Sequence, residues 1–471
     1  MPPRPRPQTT LITVGLIVFM AFSVFAFAAT EDWSAATCEV MLFLLVGWAG
    51  YKDPGLFRFP KRLWAPFVIV SVLIVTASLQ LIPVTKSYWR WIGDERGTIQ
   101  EQAAEGEALL RSDLYRTEPF TGRVLPKDTD PVQTPPPTSS LSATFTPSLT
   151  LGALVALLAG AALILLLEAL TTGSRGDLRT QGWALGCVGL AVGFLGLVHF
   201  REAPTEVLGL RQSIHAGGSF GPFINENNGM GFVNLAFFFL YYLLLKRATR
   251  ERHVSNRLGL TLAAIGILGL HAALLAIRTS EAGFWPILLL PLAIALHALR
   301  HQRRLVLALG IVALVSAGAF TLFAIHYRVS DLHGRLDLWR NALNQSHWLI
   351  GNGLGSFGER FQAVISDLAV RSPVHWVYPE NEYLQLLFEA GLPGLGAALL
   401  AAGYVLHLGW RALMAGGSTF VLVPVLWGEA LHAATDFTFH IWPIVFAALL
   451  LIALMEMCLD RHRHPQEASR A

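Results

Sequence analysis

The chain alternates between long apolar runs and short polar segments. Each run is about 20 residues long, the length that a helix needs to cross the hydrocarbon core of a bilayer. The pattern therefore predicts an all-α membrane protein with about 12 transmembrane helices. The predicted spans are residues 10–29, 34–51, 64–84, 148–170, 181–200, 228–245, 258–277, 281–299, 305–325, 385–409, 418–435 and 441–458.

The positions of the basic residues predict how these spans are oriented. With the N-terminus in the cytoplasm, the cytoplasmic segments are short and basic, as the positive-inside rule requires. They contain 20 of the 35 lysines and arginines, namely Arg4, Arg6, Lys52, Arg58, Lys61, Arg62, Arg175, Arg179, Lys246, Arg247, Arg250, Arg252, Arg257, Arg300, Arg303, Arg304, Arg411, Arg461, Arg463 and Arg470. We therefore expect both termini to be cytoplasmic. The first run is long for a cleaved signal peptide, which favours an uncleaved span.

Three polar segments on the other side of the predicted membrane are too long to be turns. Residues 85–147 begin with an amphipathic stretch that favours a surface helix and end in a Pro/Thr/Ser-rich linker. Residues 201–227 and 326–384 are the other two. The chain is thus divided into N-terminal transmembrane helices (1–84), a first external loop (85–147), a central transmembrane bundle (148–325), a partly helical external loop (326–384), and C-terminal transmembrane helices with a tail (385–471).

The composition agrees with a membrane protein and argues against nucleic-acid binding. Only 14% of the residues are charged, against about 25% in a soluble domain. Basic residues exceed acidic ones by little, 35 against 32, and their clusters lie where topology signals are expected. The three cysteines are far apart in apolar segments, so we expect neither a disulfide framework nor a cysteine metal site.

Two polar segments in the middle of the chain are candidates for binding an anion. Residues 217–232 contain glycines and a proline that oppose a regular helix, and Asn225 then precedes an apolar run. Asn225 either caps that helix or belongs to a polar strip lining a cavity. Arg211, shortly before, is a candidate anion ligand. Arg278 lies in the short turn RTSEAG, where it either pairs with Glu281 or binds a phosphate through its forked guanidinium.

The loop 326–384 carries the densest set of polar and aromatic residues. Arg335 and Trp339 are four residues apart, so they share one face of a predicted helix, whereas Arg340 lies on another face. The glycine-rich stretch 351–357 (GNGLGSF) lacks the surrounding βαβ unit of a dinucleotide site, which favours a tight turn between external helices.

Acidic residues open the helix that follows this loop. Glu380 and Asn381 come directly after Pro379 in the sequence PENEYLQLL. Carboxylates in a first helical turn complement the helix dipole. Alternatively, Glu380 at a cavity is a candidate general base.

Ionisable residues recur near the C-terminus at intervals of three, four and four. Glu429, His432, Asp436 and His440 would form one polar stripe on a single helix. Each ionisable group costs about 2.5–3.5 kcal/mol in hydrocarbon, so the stripe should face the bundle interior or an aqueous cavity. A metal site built from His432, Asp436 and His440 is a weaker alternative.

Taken in order, these segments resemble the O-antigen ligase and O-antigen/exopolysaccharide polymerase family, whose members are membrane glycosyltransferases of the GT-C type. The resemblance runs through roughly residues 200–455 and rests on the order of the motifs, since each is weak alone. It is carried by GPFINENNG (221–229), RTSEAG (278–283), GRLDLWRNAL (334–343), GNGLGSF (351–357), ENEYLQLLFEAGLPG (380–394) and HAATDFTFHIWP (432–443). Glu380 stands where the family often has a histidine.

The resemblance implies a reaction as well as a GT-C-like fold. A glycan linked to undecaprenyl pyrophosphate would be transferred to a hydroxyl of a polysaccharide or lipid A-core acceptor, on the periplasmic side of a bacterial inner membrane. No metal, cofactor or nucleotide sugar is implied. The candidate ligands of the pyrophosphate are Arg211, Arg278, Arg335 and Arg340. The candidate catalytic residues are Glu380 as the general base, Asn381, His432 and Asp436.

Two other functions remain open at this point. One is a flippase or secondary transporter for lipid-linked polysaccharide, although no matching pair of broken spans occurs in the sequence. The other is a protein O-oligosaccharyltransferase, which would use the same donor with a serine or threonine acceptor.

Overall fold

The computed structural model describes residues 7–85, 115–117, 124–126, 140–144, 146–172, 175–202, 206–212, 219–277, 281–302, 329–344, 348–364 and 377–463. Thirteen α-helices occur within these ranges. They are α1 (Pro7–Phe25), α2 (Asp32–Lys52), α3 (Trp64–Gln80), α4 (Pro147–Thr172), α5 (Arg175–Glu202), α6 (Glu226–Ala248), α7 (Val254–Ile277), α8 (Glu281–Ala298), α9 (Val329–Asn344), α10 (Phe357–Val364), α11 (Glu382–Ala415), α12 (Val423–His432) and α13 (Trp442–Arg463).

The structure is mostly helical, which confirms the expected helical class. Seven of the described helices are long and apolar enough to cross a membrane, and they lie within α2, α4, α5, α6, α7, α11 and α13. Shorter apolar helices occupy three further predicted spans, at Thr9–Phe25, Trp64–Gln80 and Trp285–Ala298. The predicted span 305–325 lies outside the described residues.

The prediction of a single span at 418–435 is wrong. The chain instead forms a 3₁₀ turn at Ser418–Leu422 and then α12, which has only ten residues. Pro424 occupies the first turn of α12, where a proline without an N–H group is tolerated, so a new helix starts there. Ten residues rise about 15 Å, which is half the thickness of the hydrocarbon core.

Short strands accompany the helices, so the structure is not purely α-helical. Antiparallel pairs join β1 (Pro83–Thr85) to β4 (Ser140–Ser142) and β2 (Tyr115–Thr117) to β3 (Val124–Pro126). A third pair joins β5 (Glu206–Val207) to β6 (Arg211–Gln212). The Pro/Thr/Ser-rich linker therefore ends hydrogen-bonded to the residues that precede the first external loop. The predicted surface helix at the start of that loop lies outside the described residues.

One hydrophobic core joins helices from the N-terminal, central and C-terminal parts of the chain. Helix α6 lies at its centre, since nearly all of its residues from Asn228 to Leu244 are buried. By contrast, only 11% of the apolar window of α7 is buried, so α7 is peripheral and presents large apolar side chains outward. Such a surface is suited to lipid.

Glycines on α5 let this helix approach α6 closely. A Cβ atom at Gly189 would lie 2.3 Å from the Cβ of Ala236, and one at Gly182 would lie 2.1 Å from the ring of Phe239. Small residues spaced in this way bring helix backbones together where lipid supplies no hydrophobic drive for association. The glycines in contact with α6 are Gly182, Gly186, Gly189 and Gly193.

Helix α11 is kinked at Gly391, which has φ 63° and ψ −151°. Pro393 cannot donate a hydrogen bond, so the carbonyl of Glu389 loses its helical partner. Two outside groups replace it, because the N–H of Gly353 and the amide of Gln80 both donate to Glu389 O, at 2.9 and 2.8 Å. These two hydrogen bonds at the kink therefore connect α11 to α3 and to the glycine-rich stretch.

Candidate functional site

Polar side chains gather where the start of α11 meets the end of α12. The N–H of Glu382 donates to the carbonyl of Ala433 at 2.8 Å, and the hydroxyl of Tyr383 donates to the carbonyl of Ala430 at 2.9 Å. We call this region, which contains Glu380, Glu382 and Asp436, the acidic end of the bundle.

An ion pair links helix α9 to this region. Arg335 Nη2 lies 2.7 Å from Glu380 Oε2, and Arg335 Nη1 donates to the carbonyl of Thr435 at 3.2 Å. The indole of Trp339 donates to the carbonyl of Pro379 at 2.8 Å. Arg335 and Trp339 thus contact the same turn, as their four-residue spacing predicts. The pair is partly accessible, with 23% and 26% of the two side chains exposed.

The backbone at this turn is unusual. Glu380 has φ 52°, a left-handed conformation that non-glycine residues rarely adopt and that costs about 1–3 kcal/mol. Asn381 follows as the N-cap of α11, and its side chain accepts a hydrogen bond from the N–H of Leu384 at 3.0 Å. The side chain of Asn381, which the sequence analysis gave as a candidate catalytic residue, therefore caps a helix in the structure. Strain of this kind is concentrated at functional sites.

Glu382 and His440 form a second pair, which the sequence analysis did not predict. Glu382 Oε1 accepts hydrogen bonds from the N–H of Phe439 at 2.7 Å and from His440 Nδ1 at 3.3 Å. Gln385 Nε2 lies 3.2 Å from His440 Nε2. These contacts assign the proton to Nδ1 and leave Nε2 as an acceptor.

The surroundings of His440 favour a proton-accepting role. Solvent reaches the ring, since 36% of the His440 side chain is exposed. Burial lowers the pKa of His440, but the carboxylates of Glu382 and Glu389 outweigh this effect, so the pKa is raised above its usual 6.5. A higher pKa makes the imidazole a stronger base.

Aromatic residues cover this histidine. The ring of Tyr378 stacks on Phe437 with centroids 4.4 Å apart and lies 5.0 Å from the ring of His440. Burial raises the pKa of Tyr378 to about 12, and nearby carboxylates, including Asp32 at the start of α2, add to the increase. The phenol therefore stays protonated at physiological pH and can donate a hydrogen bond.

The predicted stripe of ionisable residues on one helix is wrong, because α12 ends at His432. Asp436 lies in the following turn, where its carboxylate accepts the N–H of Phe437 at 2.7 Å, and His440 belongs to a 3₁₀ turn. Local capping by Asp436 competes with continuation of the helix. Among the described residues, His432, Asp436 and His440 do not form a group that could hold a metal ion, so the weaker metal alternative is wrong.

His432 and Asp436 form a buried polar cluster with Glu429. His432 Nε2 lies 3.3 Å from Asp436 Oδ2, and His432 Nδ1 lies 3.6 Å from Glu429 Oε2. Burial raises the pKa of Asp436, but hydrogen bonds from His432, Phe437 and Asn227 outweigh it, so this pKa is lowered. Only 1% of the His432 side chain is exposed. We therefore interpret the cluster as a link between α12 and the start of α6.

The other candidate arginines do not join Arg335 among the described contacts. Arg211 on β6 forms an ion pair with Glu31, just before α2, at 2.6 Å. Arg340 is exposed on another face of α9, in agreement with the helical spacing. Arg278 lies outside the described residues.

The glycine-rich stretch is a turn, as predicted, with left-handed glycines at 351, 353 and 355. Its donors are already used, because Glu389 Oε2 accepts the N–H of Gly355 at 2.9 Å and Glu389 Oε1 accepts the N–H of Phe357 at 3.1 Å. A buried carboxylate thus occupies the place that a phosphate takes in a phosphate-binding loop.

Asn225 adopts the capping role that was one of its two interpretations. Its side chain accepts the N–H of Asn227 at 2.8 Å, at the start of α6.

The acidic end combines an accessible arginine–carboxylate pair, an accessible histidine–carboxylate pair and buried polar residues that hold them. No model of a known protein family matches this chain, and no curated protein matches it.

Proposed function

We propose that this protein is a membrane glycosyltransferase of the O-antigen ligase/polymerase type. It transfers a glycan from an undecaprenyl-pyrophosphate-linked donor to an acceptor hydroxyl, with the acidic end facing the periplasm of a bacterial inner membrane. The observation that carries the proposal is that a cation and a carboxylate-held histidine lie at one end of an apolar helical bundle. The cation can stabilise the leaving pyrophosphate, and the histidine can take the proton of the acceptor hydroxyl.

Arg335 is the proposed ligand of the pyrophosphate. Its guanidinium already binds one carboxylate, that of Glu380, in a partly accessible position. A phosphate oxygen can take the place of that carboxylate, because both anions accept hydrogen bonds from the same guanidinium fork. Arg278 stays a predicted second ligand, from the sequence alone.

His440 is a better candidate for the base than Glu380. A carboxylate paired with arginine is stabilised in its ionised form and takes up a proton less readily. His440 has a raised pKa, an exposed side chain and a lone pair at Nε2, which accepts a hydrogen bond from Gln385 until a substrate hydroxyl replaces it. Glu382 holds the ring through Nδ1, as a carboxylate orients the histidine in many hydrolytic sites.

The proposed reaction forms one bond, breaks one bond and moves one proton. The acceptor oxygen forms a bond with the anomeric carbon while the bond from that carbon to the phosphate oxygen breaks. The acceptor hydroxyl displaces the amide of Gln385 from His440 Nε2 and passes its proton to that nitrogen. The lipid pyrophosphate leaves with the bonding electrons, and Arg335 stabilises its charge. One transition-state donor of this kind contributes about 3–4 kcal/mol.

The test compares two variants in cells that lack their own copy of the gene and carry a plasmid-borne one. His440→Gln should reduce the surface polysaccharide by a factor of about 10² or more, with normal protein in the membrane. Glu380→Gln should reduce it less, because Arg335 remains. If Glu380→Gln abolishes the polysaccharide while His440→Gln remains active, Glu380 is the base instead of His440.

Activity in both variants would contradict the proposed site. A flippase is distinguished by proteoliposomes that contain a fluorescent lipid-linked glycan. Movement of this lipid across the bilayer without a new glycosidic bond would identify the protein as a transporter. A glycosylated protein as the product would identify the O-oligosaccharyltransferase alternative.

A further inference from the structure

A cavity of about 580 Å³ lies at the opposite end of the bundle from the candidate site. Its walls come from the start of α5, the ends of α6, α8 and α13, and the segment that links α11 to α12. The volume is many times that of one water molecule, about 30 Å³, so a polar group larger than a single small ion fits. We call this region, defined by Arg179, Lys246 and Arg250, the basic end.

The lining of this cavity is strongly cationic. Arg179, Lys246 and Arg250 line it together with His297, and no carboxylate is among the described residues of its lining. Within the described chain, Arg179 and Arg250 form no ion pair. Both are close enough to the Tyr242 hydroxyl to interact with it electrostatically. Two arginines that share one cavity and have no carboxylate partner in the described chain are the chemistry of an anion site.

Lys246 is held in place by aromatic and polar contacts. Its ammonium group donates to the hydroxyl of Tyr242 and lies 4.8 Å from the centre of that ring. Tyr242 is fully buried, and its hydroxyl also contacts Cys458 Sγ at 3.4 Å. A cation positioned in this way loses little conformational freedom when it binds an anion, which favours affinity.

His297 is also fixed at the cavity wall. Its ring stacks on Phe420 with centroids 4.2 Å apart, and Nδ1 is 3.0 Å from the carbonyl of Leu413. This contact assigns the proton to Nδ1. The side chains of Ser418 and Thr419 on the same wall add hydroxyl groups that can donate to an anion.

The two sites are separated by the length of α6. Asn227, which hydrogen-bonds Asp436, is at the start of this helix, and Lys246 is in its last turn. The helix rises 1.5 Å per residue, so the two positions are about 28 Å apart. That distance is close to the thickness of the hydrocarbon core. The cavity therefore lies at the other interface of the predicted membrane.

We propose that this cavity binds a phosphate group at the interface opposite the glycan-transfer site. The ligand class is a phosphate anion, carried by the headgroup of an anionic lipid or present as soluble phosphate. Basic pockets between helices at a membrane interface bind lipid headgroups in this way. The inference uses none of the residues assigned to glycan transfer, so it stands whether or not that assignment is correct.

The first experiment uses the thiol of Cys458 as a reporter in the full-length protein. Cys187→Ala removes the other accessible thiol, since Cys38 is buried. In detergent, maleimide labelling of Cys458 is followed with short-chain phosphatidylglycerol, short-chain phosphatidylcholine, inorganic phosphate or pyrophosphate. Protection by phosphatidylglycerol alone identifies a lipid headgroup, and protection by phosphate or pyrophosphate identifies a soluble anion. Protection by none of these probes would overturn the proposal.

The second experiment compares two double variants with the same change of charge. Arg179→Gln/Arg250→Gln removes two cations from the cavity, whereas Arg247→Gln/Arg252→Gln removes two exposed cations outside its lining. The first should weaken binding of the protecting probe at least about tenfold, and the second should change it less than about twofold. If both double variants lose the same amount of probe binding, the binding depends on general surface charge and the proposed site is overturned.

Discussion

The candidate site and the cavity at the opposite end of the bundle carry their charged residues in opposite arrangements. At the acidic end, Glu380 pairs with Arg335, Glu382 with His440, and Asp436 with His432. At the basic end, Arg179 and Arg250 line a cavity without an ion-pair partner in the described chain. Matched pairs hold side chains in fixed positions, as catalysis requires. Cations without a carboxylate partner instead leave their charge available to a ligand.

Replacing the arginine of the acidic end should have the largest effect. We expect Arg335→Lys to lower transfer by a factor of about 10²–10³, because a lysine is a point charge that cannot form the forked contact. Surface polysaccharide in complemented cells measures this loss. Arg252→Lys, an exposed position at the other end, is the matched control. If Arg335→Lys and Arg252→Lys are equally active, Arg335 does not bind the pyrophosphate.

The kinked turn beside the site should be the most sensitive place for stability. At Gly351, φ is 72° and an added Cβ would lie 2.1 Å from the carbonyl oxygen of Glu389. Gly351→Ala should therefore destabilise the protein by about 2–3 kcal/mol. At Gly259, on α7, an added Cβ meets nothing within 4 Å, so Gly259→Ala is the control. Thermal unfolding in detergent compares them, and similar melting temperatures would disprove the role of the turn.

The pH dependence of transfer tests the histidine–carboxylate pair. The pKa of His440 is raised, chiefly because Glu382 and Glu389 outweigh burial, and the base must be neutral. The rate should therefore fall as the pH drops through a value above 6.5. Glu382→Gln removes one carboxylate, so the midpoint should move to lower pH, with a loss of rate of about tenfold at neutral pH from poorer orientation. An unchanged midpoint would argue against His440 as the base.

The smallest effect should come from an ion pair outside both the candidate site and the cavity. Arg62 Nε lies 2.9 Å from Asp460 Oδ2, with 27% and 41% of the side chains exposed. Solvent screens such a pair, so Asp460→Asn should change stability by no more than about 1 kcal/mol. Thermal unfolding at low and high salt checks this prediction. A larger loss of stability would show that solvent does not screen this ion pair.

Local features were predicted well where they depend on nearby residues. The four-residue spacing of Arg335 and Trp339 correctly placed both on one face, and the glycines at 351–357 correctly indicated a turn. Asn225 adopted one of its two expected roles as an N-cap. Helical periodicity and the tolerance of glycine for positive φ are properties of a few consecutive residues.

The prediction failed where a periodic pattern extended past the end of a helix. Glu429, His432, Asp436 and His440 have helical spacing, but α12 ends at His432 and the last two residues lie in turns. His440 could have been suspected from its place in that pattern. Its partner Glu382 lies 58 residues away in sequence, so no local pattern indicates the pair.

The sequence alone determined where the apolar helices and the clusters of basic residues lie, because the length of a bilayer-spanning helix and the cost of burying charge act on each segment separately. The tertiary structure decided which charges meet. Glu389 accepts the donors of the glycine-rich turn, and Glu382 rather than Asp436 holds His440. Such pairings depend on helix ends, kinks and packing between distant segments, and no local periodicity encodes them.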